Sequence, residues 1–207
     1  MRWSRQQLVL VALVSLLAAS LLGVAGWWWR ATSGAGSPNG VEFESPRQVP
    51  ALRLQGSDGR EHSLQDFRGK VVLVYFGYTT CPDACPMTLG KFARVKAALG
   101  ERAEDVQVVM VTVDPQRDTA GRLREYLAVY GVDFLGLTGD EATIQELAAA
   151  FGVYYAPYES DTALGYLVEH TTSSFILDRQ GRLRILAPYD LTAEQLAEDV
   201  RYLLRRD

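Results

Sequence analysis

The chain has 207 residues, with 21 lysines and arginines against 25 aspartates and glutamates and a formal net charge of −4. A hydrophobic content of 48% excludes a wholly disordered protein. The two cysteines are too few for a disulfide-rich scaffold. The acidic balance argues against nucleic acid as the main partner, because phosphate binding needs an excess of basic side chains.

Residues 1–30 are predicted to form a membrane anchor. Leu8–Val24 carries no charge and, with the residues that follow, approaches the roughly 20 apolar residues that span a bilayer. Trp27–Trp29 is typical of a membrane–water interface, and Arg2 and Arg5 before the stretch favour a cytoplasmic N-terminus. The alternative is a cleaved signal peptide, whose apolar core is usually shorter, about 7–15 residues.

Residues 31–50 are half Gly, Ser, Thr and Pro, a composition that predicts a flexible periplasmic linker. Residues 51–207 then form one predicted globular domain. The linker and domain together contain 18 basic and 25 acidic residues, a net charge of −7, because the only charged residues before them are arginines.

The domain begins with a predicted short hairpin of Ala51–Leu54 and Glu61–Leu64. Val71–Phe76 follows as a continuous apolar run, which is typical of a strand that is buried on both faces. A helix is predicted from about Pro86 to a stop at Gly100, with Gly90 inside it where close packing is expected.

The next predicted elements are a second buried strand at Val106–Val113 and a helix at Thr119–Tyr130. A third helix is expected to open with a capping box from Thr138 to Glu141. Tyr154–Asp161 is interpreted as a flexible excursion.

The chain ends with a predicted hairpin of Ser173–Leu177 and Leu183–Leu186, and with a helix from Thr192 that Gln195 caps. The element order is β-β-β-α-β-α-α-β-β-α. This order predicts an α/β thioredoxin-like fold, with an N-terminal hairpin and a central mixed sheet flanked by helices.

The only cysteines, Cys81 and Cys85, lie where a buried strand ends and a helix begins. This edge of a sheet commonly carries ligand sites, and a helix N-terminus lowers the pKa of a thiol. The pair has the spacing to close a small disulfide or to hold one soft metal ion. Nearby, two interpretations of Asp83 stay open: a favourable charge at the helix start, or a group that accepts a hydrogen bond or weakly coordinates Cu(II). Met87 is expected to pack within the helix.

The segment expected to face the cysteines contains His170 between Glu169 and Thr171. Thiol oxidoreductases of this fold usually have Cys-x-x-Cys and a proline before the facing strand, whereas this chain has one more residue and no proline there. Two thiols and one imidazole favour Cu(I) over structural zinc, which normally takes four ligands. The other histidine, His62, is expected to be solvated.

Four motifs support a resemblance to a known family, and they lie at Gly69–Pro86, Val113–Thr119, Gly136–Gly139 and Tyr166–Thr171. Together they resemble the Sco/SenC family, the membrane-anchored copper chaperones for cytochrome c oxidase. In that family two cysteines and one histidine bind copper, so the resemblance assigns the metal ligands to Cys81, Cys85 and His170. Family members typically have Asp and Ser where this chain has Glu169 and Thr171.

The family also has an Asp-x-x-x-Asp motif, which is Asp114 and Asp118 here. Neither is expected to be a copper ligand. Asp114 is expected to end a strand, and Asp118 is expected to cap the helix that follows it.

The resemblance implies a membrane-anchored copper metallochaperone, which is expected to be monomeric and to act as a chaperone more than as an enzyme. The N-terminus lacks an arginine- and serine-rich transit peptide, which favours a bacterial inner membrane over a mitochondrion, with the domain in the periplasm. Its cargo would be Cu(I), with Cu(II) as a second state. The implied partners are the copper-bearing subunit of cytochrome c oxidase and other periplasmic copper chaperones. Two alternatives stay open: a thiol–disulfide oxidoreductase using Cys81 and Cys85 as a redox-active dithiol, and a peroxide reductase using one reactive thiolate.

Overall fold

The computed structural model describes residues 6–7, 14–17, 19–26, 37–161 and 165–206. The chain divides into two units, Met1–Ser37 and Pro38–Asp207. In the first unit, residues 14–17 and 19–26 are helical with exposed side chains. Among the described residues, no helix combines the length and the hydropathy that a bilayer crossing requires. Much of the predicted anchor lies outside the described residues.

The second unit alternates strands and helices. Its strands are β1 Val41–Gln48, β2 Leu54–Gly56, β3 Glu61–His62, β4 Val71–Gly77, β5 Val106–Thr112, β6 Leu135–Thr138, β7 Tyr155–Tyr158, β8 Leu167–His170, β9 Ser174–Leu177 and β10 Arg182–Ala187. Its α-helices are α1 Ala84–Leu99, α2 Ala120–Leu127, α3 Glu141–Phe151 and α4 Ala193–Arg206, and 3₁₀ turns cover Leu64–Phe67 and Gly100–Asp105.

The main sheet has eight strands in the order β1-β10-β9-β4-β5-β6-β2-β3. Its centre is parallel, with β4 paired to β5 from Val71–Val106 to Gly77–Thr112 and β5 paired to β6. Every residue of β4 is buried, as its apolar run predicts. Helix α1 packs against α4, and α2 packs against β6. The predicted mixed sheet flanked by helices is thus confirmed.

The predicted linker is wrong at its C-terminal end, where Val41–Gln48 forms β1 and pairs antiparallel with β10. Just before it, the backbone N–H groups of Asn39 and Gly40 donate to the buried carboxylate of Asp199 at 2.6 and 2.8 Å. Local composition could not show this, because the partner lies 160 positions away in the sequence.

The helix caps agree with the sequence in one place and differ in another. The capping box of α4 is confirmed, since the Thr192 N–H donates to Gln195 Oε1 at 2.9 Å and the Gln195 N–H donates to Thr192 Oγ1 at 3.2 Å. The cap of α3 is Asp140, which accepts from the Thr143 N–H at 2.9 Å. The predicted box from Thr138 is wrong because Thr138 ends β6.

A second, two-stranded sheet replaces the predicted flexible excursion. Strand β7 pairs antiparallel with β8, with Tyr155 opposite His170 and Pro157 opposite Val168. Next to the Tyr155–His170 pair, the Thr171 N–H donates to the Tyr154 carbonyl at 2.9 Å and so extends the contact between the two strands. This hairpin therefore gives His170 a fixed backbone position.

Candidate metal centre

The two cysteines lie on either side of the start of α1. The helix begins at Ala84, before the predicted Pro86, so Cys85 lies in its first turn and is fully buried. Cys81 precedes the helix and is half-buried. The Cys85 N–H donates to Cys81 Sγ at 3.5 Å, which holds the first sulfur over the helix N-terminus. Both cysteines are free thiols.

His170 brings an imidazole to the same place. Its Nε2 lies 3.6 Å from Cys85 Sγ, and its Nδ1 lies 3.0 Å from the Thr171 carbonyl oxygen. Because a carbonyl can only accept, Nδ1 carries a hydrogen, and Nε2 is the ring nitrogen that faces the sulfurs. The ligand atoms of Cys81, Cys85 and His170 all lie within 4.8 Å of one another. The structure therefore brings together all three predicted metal-site residues.

Two tyrosines hold this group from the side of β4. The Tyr75 hydroxyl donates to Cys85 Sγ at 3.7 Å, and the rings of Tyr75 and Tyr78 pack edge-on against the His170 imidazole at 5.9 and 5.7 Å. The Val168 N–H also donates to the Tyr78 hydroxyl at 3.2 Å. Sequence reasoning missed both tyrosines, because Tyr75 lies in the continuous apolar run and Tyr78 two residues after it, where a tyrosine is typical of an ordinary core residue.

Gly77 gives the buried sulfur its space. A Cβ at this position would lie 2.9 Å from Cys85 Sγ and 2.7 Å from a ring carbon of Tyr75. These separations are too short for unshifted atoms, so the end of β4 must be glycine for Cys85 to sit where it does.

The two thiols differ in acidity. The pKa of Cys81 is lowered by hydrogen bonding to the Cys85 side chain and to His170, and by the N–H groups of Asp83 and Cys85, while its partial burial acts in the opposite direction. The pKa of Cys85 is raised, first by burial and then by the neighbouring Cys81 thiolate. Hydrogen bonding therefore favours the thiolate form at Cys81, and burial favours the thiol form at Cys85, whose S–H can donate to Cys81.

Asp118 does not cap the following helix as expected. That cap is Thr119, which accepts from the Arg122 N–H. Asp118 is fully buried and accepts from the Thr79 N–H at 3.0 Å, from the Thr79 hydroxyl and from the Thr112 hydroxyl at 2.7 Å. It thereby ties the loop that leads to Cys81 to the end of β5.

Asp114 ties down the other half of the site. It accepts from the Tyr166 hydroxyl at 2.7 Å and pairs with the Arg117 guanidinium. Arg117 in turn donates to the Tyr166 carbonyl at 2.9 Å and stacks on its ring. Tyr166 directly precedes β8, so this cluster fixes the strand that carries His170. Neither Asp114 nor Asp118 belongs to the three-residue donor group.

The remaining candidates are placed elsewhere. Asp83 takes the cap position of α1 but makes no side-chain capping bond. Met87 is 58% exposed and accepts from the Tyr189 hydroxyl, so its expected packing in the helix is wrong. His62 is not simply solvated, because its Nε2 lies 2.9 Å from an Asp58 carboxylate oxygen.

These observations define a thioredoxin-like protein with a Cys₂His donor group between the first helix and a β-hairpin. A profile described as SCO1/SenC matches residues 44–205. The chain belongs to the SCO1/SenC family.

Individual relatives agree with this assignment. The chain is 34% identical over 148 residues to an SCO2-like protein of Rickettsia prowazekii, covering 71% of this chain and 72% of that protein. It is 32% identical over 200 residues to the mitochondrial SCO2 homolog of Mus musculus, covering 90% and 76%. Its structure resembles copper-bound ScoI of Bradyrhizobium japonicum with a TM-score of 0.69 and 30% identity, covering 75% of this chain and 99% of that one.

Proposed function

We propose that this protein is a copper metallochaperone that carries Cu(I) on Cys81, Cys85 and His170. The observation that carries the proposal is the convergence of the three ligand atoms within 4.8 Å. Thiolate and imidazole ligands suit Cu(I), and three ligands are one fewer than a structural zinc site normally has. The copper-bound state of the similar ScoI protein supports the same cargo.

The acceptor in this proposal is the dinuclear copper site of cytochrome c oxidase, during its assembly. Thiolates of the acceptor replace His170 and then the two cysteines, so that Cu(I) is never without ligands. Residues 1–30 anchor the chain in a bacterial inner membrane, with the domain in the periplasm. An anchored domain meets a partner in the same membrane at a raised effective concentration.

The test is a titration of the reduced full chain in detergent with Cu(I) against a competing chelator. One copper per chain is expected, with both His170→Ala and Cys81→Ser weakening its affinity. Each substitution should lower the Cu(I) affinity by more than the roughly 10- to 100-fold that is lost when a residue that only hydrogen-bonds to a metal ligand is removed. Wild-type protein that cannot compete with the chelator would overturn the proposal.

A thiol–disulfide oxidoreductase is the second candidate, and the half-buried Cys81 with its lowered thiol pKa favours it. In this role the dithiol reduces the copper-ligand cysteines of the oxidase subunit. His170 separates the two functions, because disulfide exchange needs only two accessible sulfurs. Reductase activity that survives His170→Ala, in a protein that does not retain Cu(I), would make this candidate the function.

A further inference from the structure

A groove of about 400 Å³ opens between the turn after β5 and the β7–β8 hairpin, whose second strand carries His170. Tyr155, Pro157 and Val168 form its hairpin wall. In a paired sheet, directly opposed residues share a face. Val168 opposes Pro157 and His170 opposes Tyr155, so three of the four strand residues that line the groove share a face with His170. The fourth, Tyr158, lies on the other face at the end of β7.

The groove is negatively charged. Glu141, Glu159 and Asp114 line it, and within the described part of the chain Asp114 alone among them pairs with a guanidinium, that of Arg117. No lysine or arginine occurs among the described residues that line it. The Glu141 carboxylate accepts from the Tyr155 hydroxyl at 2.8 Å, which fixes one acid against the hairpin. The charge of this groove therefore complements a basic side chain.

The aromatic and proline side chains that line the groove favour an extended segment of chain. Pro115, Pro157 and the rings of Tyr155, Tyr158 and Tyr166 line it. Aromatic-lined grooves commonly bind extended peptide segments. Tyr158 is 51% exposed at the groove, which leaves an aromatic surface for such a segment to cover.

We propose that this groove docks an extended, lysine- or arginine-bearing segment of the protein that exchanges copper with this chain. The inference rests on the proposed function and specifies the partner surface that serves it. A segment seated there contacts the face of the hairpin that holds His170, so docking brings the acceptor to the ligand that is exchanged first.

The test uses the full chain in detergent, loaded with Cu(I), and the metal-free copper-bearing subunit of cytochrome c oxidase from the same organism. Glu141→Gln with Glu159→Gln removes two charges but keeps the hydrogen-bond acceptors. The matched control is Glu101→Gln with Glu104→Gln, two exposed acids in the 3₁₀ turn before β5, at the opposite end of that strand.

The groove variant should raise the dissociation constant for the subunit by about 2- to 30-fold, as the loss of two exposed charge pairs predicts. It should also reduce the salt dependence of binding, because exposed charges act mainly through screened attraction. The control variant should bind as wild type does. Equal binding by all three proteins, or no binding by copper-loaded wild type, would overturn the inference.

Location is tested separately with a photo-crosslinking residue. Tyr158→benzoylphenylalanine should cross-link to the subunit, and Val129→benzoylphenylalanine, which replaces an exposed residue after α2, should not. Cross-links between two copies of this chain, or to lipid alone, would contradict the proposed occupant. The Cu(I) titration of each variant separates these results from a failure of copper binding itself.

Discussion

Because Gly77 has no Cβ, the buried sulfur of Cys85 has room to lie against the end of β4. Gly77→Ala would place a Cβ 2.9 Å from Cys85 Sγ and 2.7 Å from a ring carbon of Tyr75. We expect the free energy of unfolding to fall by about 1–3 kcal/mol, which is typical of overpacking. Cu(I) retention in a chelator competition should fall as well, because the sulfur must move.

The matched control is Gly90→Ala in the middle of α1. A Cβ there meets nothing within 4 Å, so the close packing expected from the sequence is absent. Alanine should therefore raise the free energy of unfolding by roughly 0.5–1 kcal/mol, since glycine weakens a helix interior. Urea denaturation compares the two variants. A destabilising Gly90→Ala, or a neutral Gly77→Ala, would contradict this account of the two glycines.

The turn between β5 and α2 links the two halves of the site, through Asp118 to the cysteine loop and through Asp114 to the histidine hairpin. Burial raises the pKa of Asp118 above its ordinary value of 3.8, and the nearby Asp114 charge acts in the same direction, while three hydrogen bonds from Thr79 and Thr112 act to lower it. The folded protein therefore binds this proton more tightly than the unfolded chain does. The stabilisation from protonation is complete below pH 3.8 and is lost as the pH rises through the higher folded pKa.

Asp118→Asn does not titrate. The stability of wild type relative to this variant should consequently decrease as the pH rises through that acidic window. Urea denaturation of both proteins at a series of pH values measures the difference. Asp140→Asn is the control with the opposite slope, because the hydrogen bonds from Thr143 lower the pKa of Asp140. A difference for Asp118 that grows with pH would show that its carboxylate is stabilised in the fold.

Elements with a distinctive local residue pattern could be predicted from the sequence. Elements that form only through contacts with residues far away in the sequence could not. Strand β4 was evident because burial on both faces makes its sequence apolar throughout. Strands β7 and β8 carry tyrosines, a proline and charged residues, so their sequence resembles a loop. The ligand residues were evident because cysteine and histidine are chemically distinctive. Asp118 could be singled out by its motif, but its bonds to Thr79 and Thr112, like the packing of Tyr78 on His170, depend on segments that only the fold brings together.

At the scale of the whole molecule, the globular unit begins earlier than its hydrophobic pattern indicates. A chain starting at Pro38 should unfold at the same denaturant concentration as the full chain. A chain starting at Val49 loses β1 and both backbone donors to Asp199, which is fully buried. It should be less stable by about 3 kcal/mol or more, because hydrogen bonds to charged groups contribute about 1.5–3 kcal/mol each. Losing β1 also exposes the edge of β10, which favours aggregation.

Denaturation and light scattering of the two shortened chains test this boundary. Equal stability of both would show that β1 is dispensable. Aggregation of the shorter chain alone would show that β1 protects the sheet edge.

The unequal burial of the two thiols has a consequence for survival in an oxidising environment. An oxidant reaches the half-buried Cys81 before the fully buried Cys85. A sulfenic acid formed on Cys81 lies next to the Cys85 thiol, which can condense with it to a disulfide and release water. Disulfides can be reduced again, whereas further oxidation to sulfinic acid is irreversible for most proteins. The buried Cys85 thiol thus protects the half-buried Cys81 from irreversible oxidation whenever the site carries no metal.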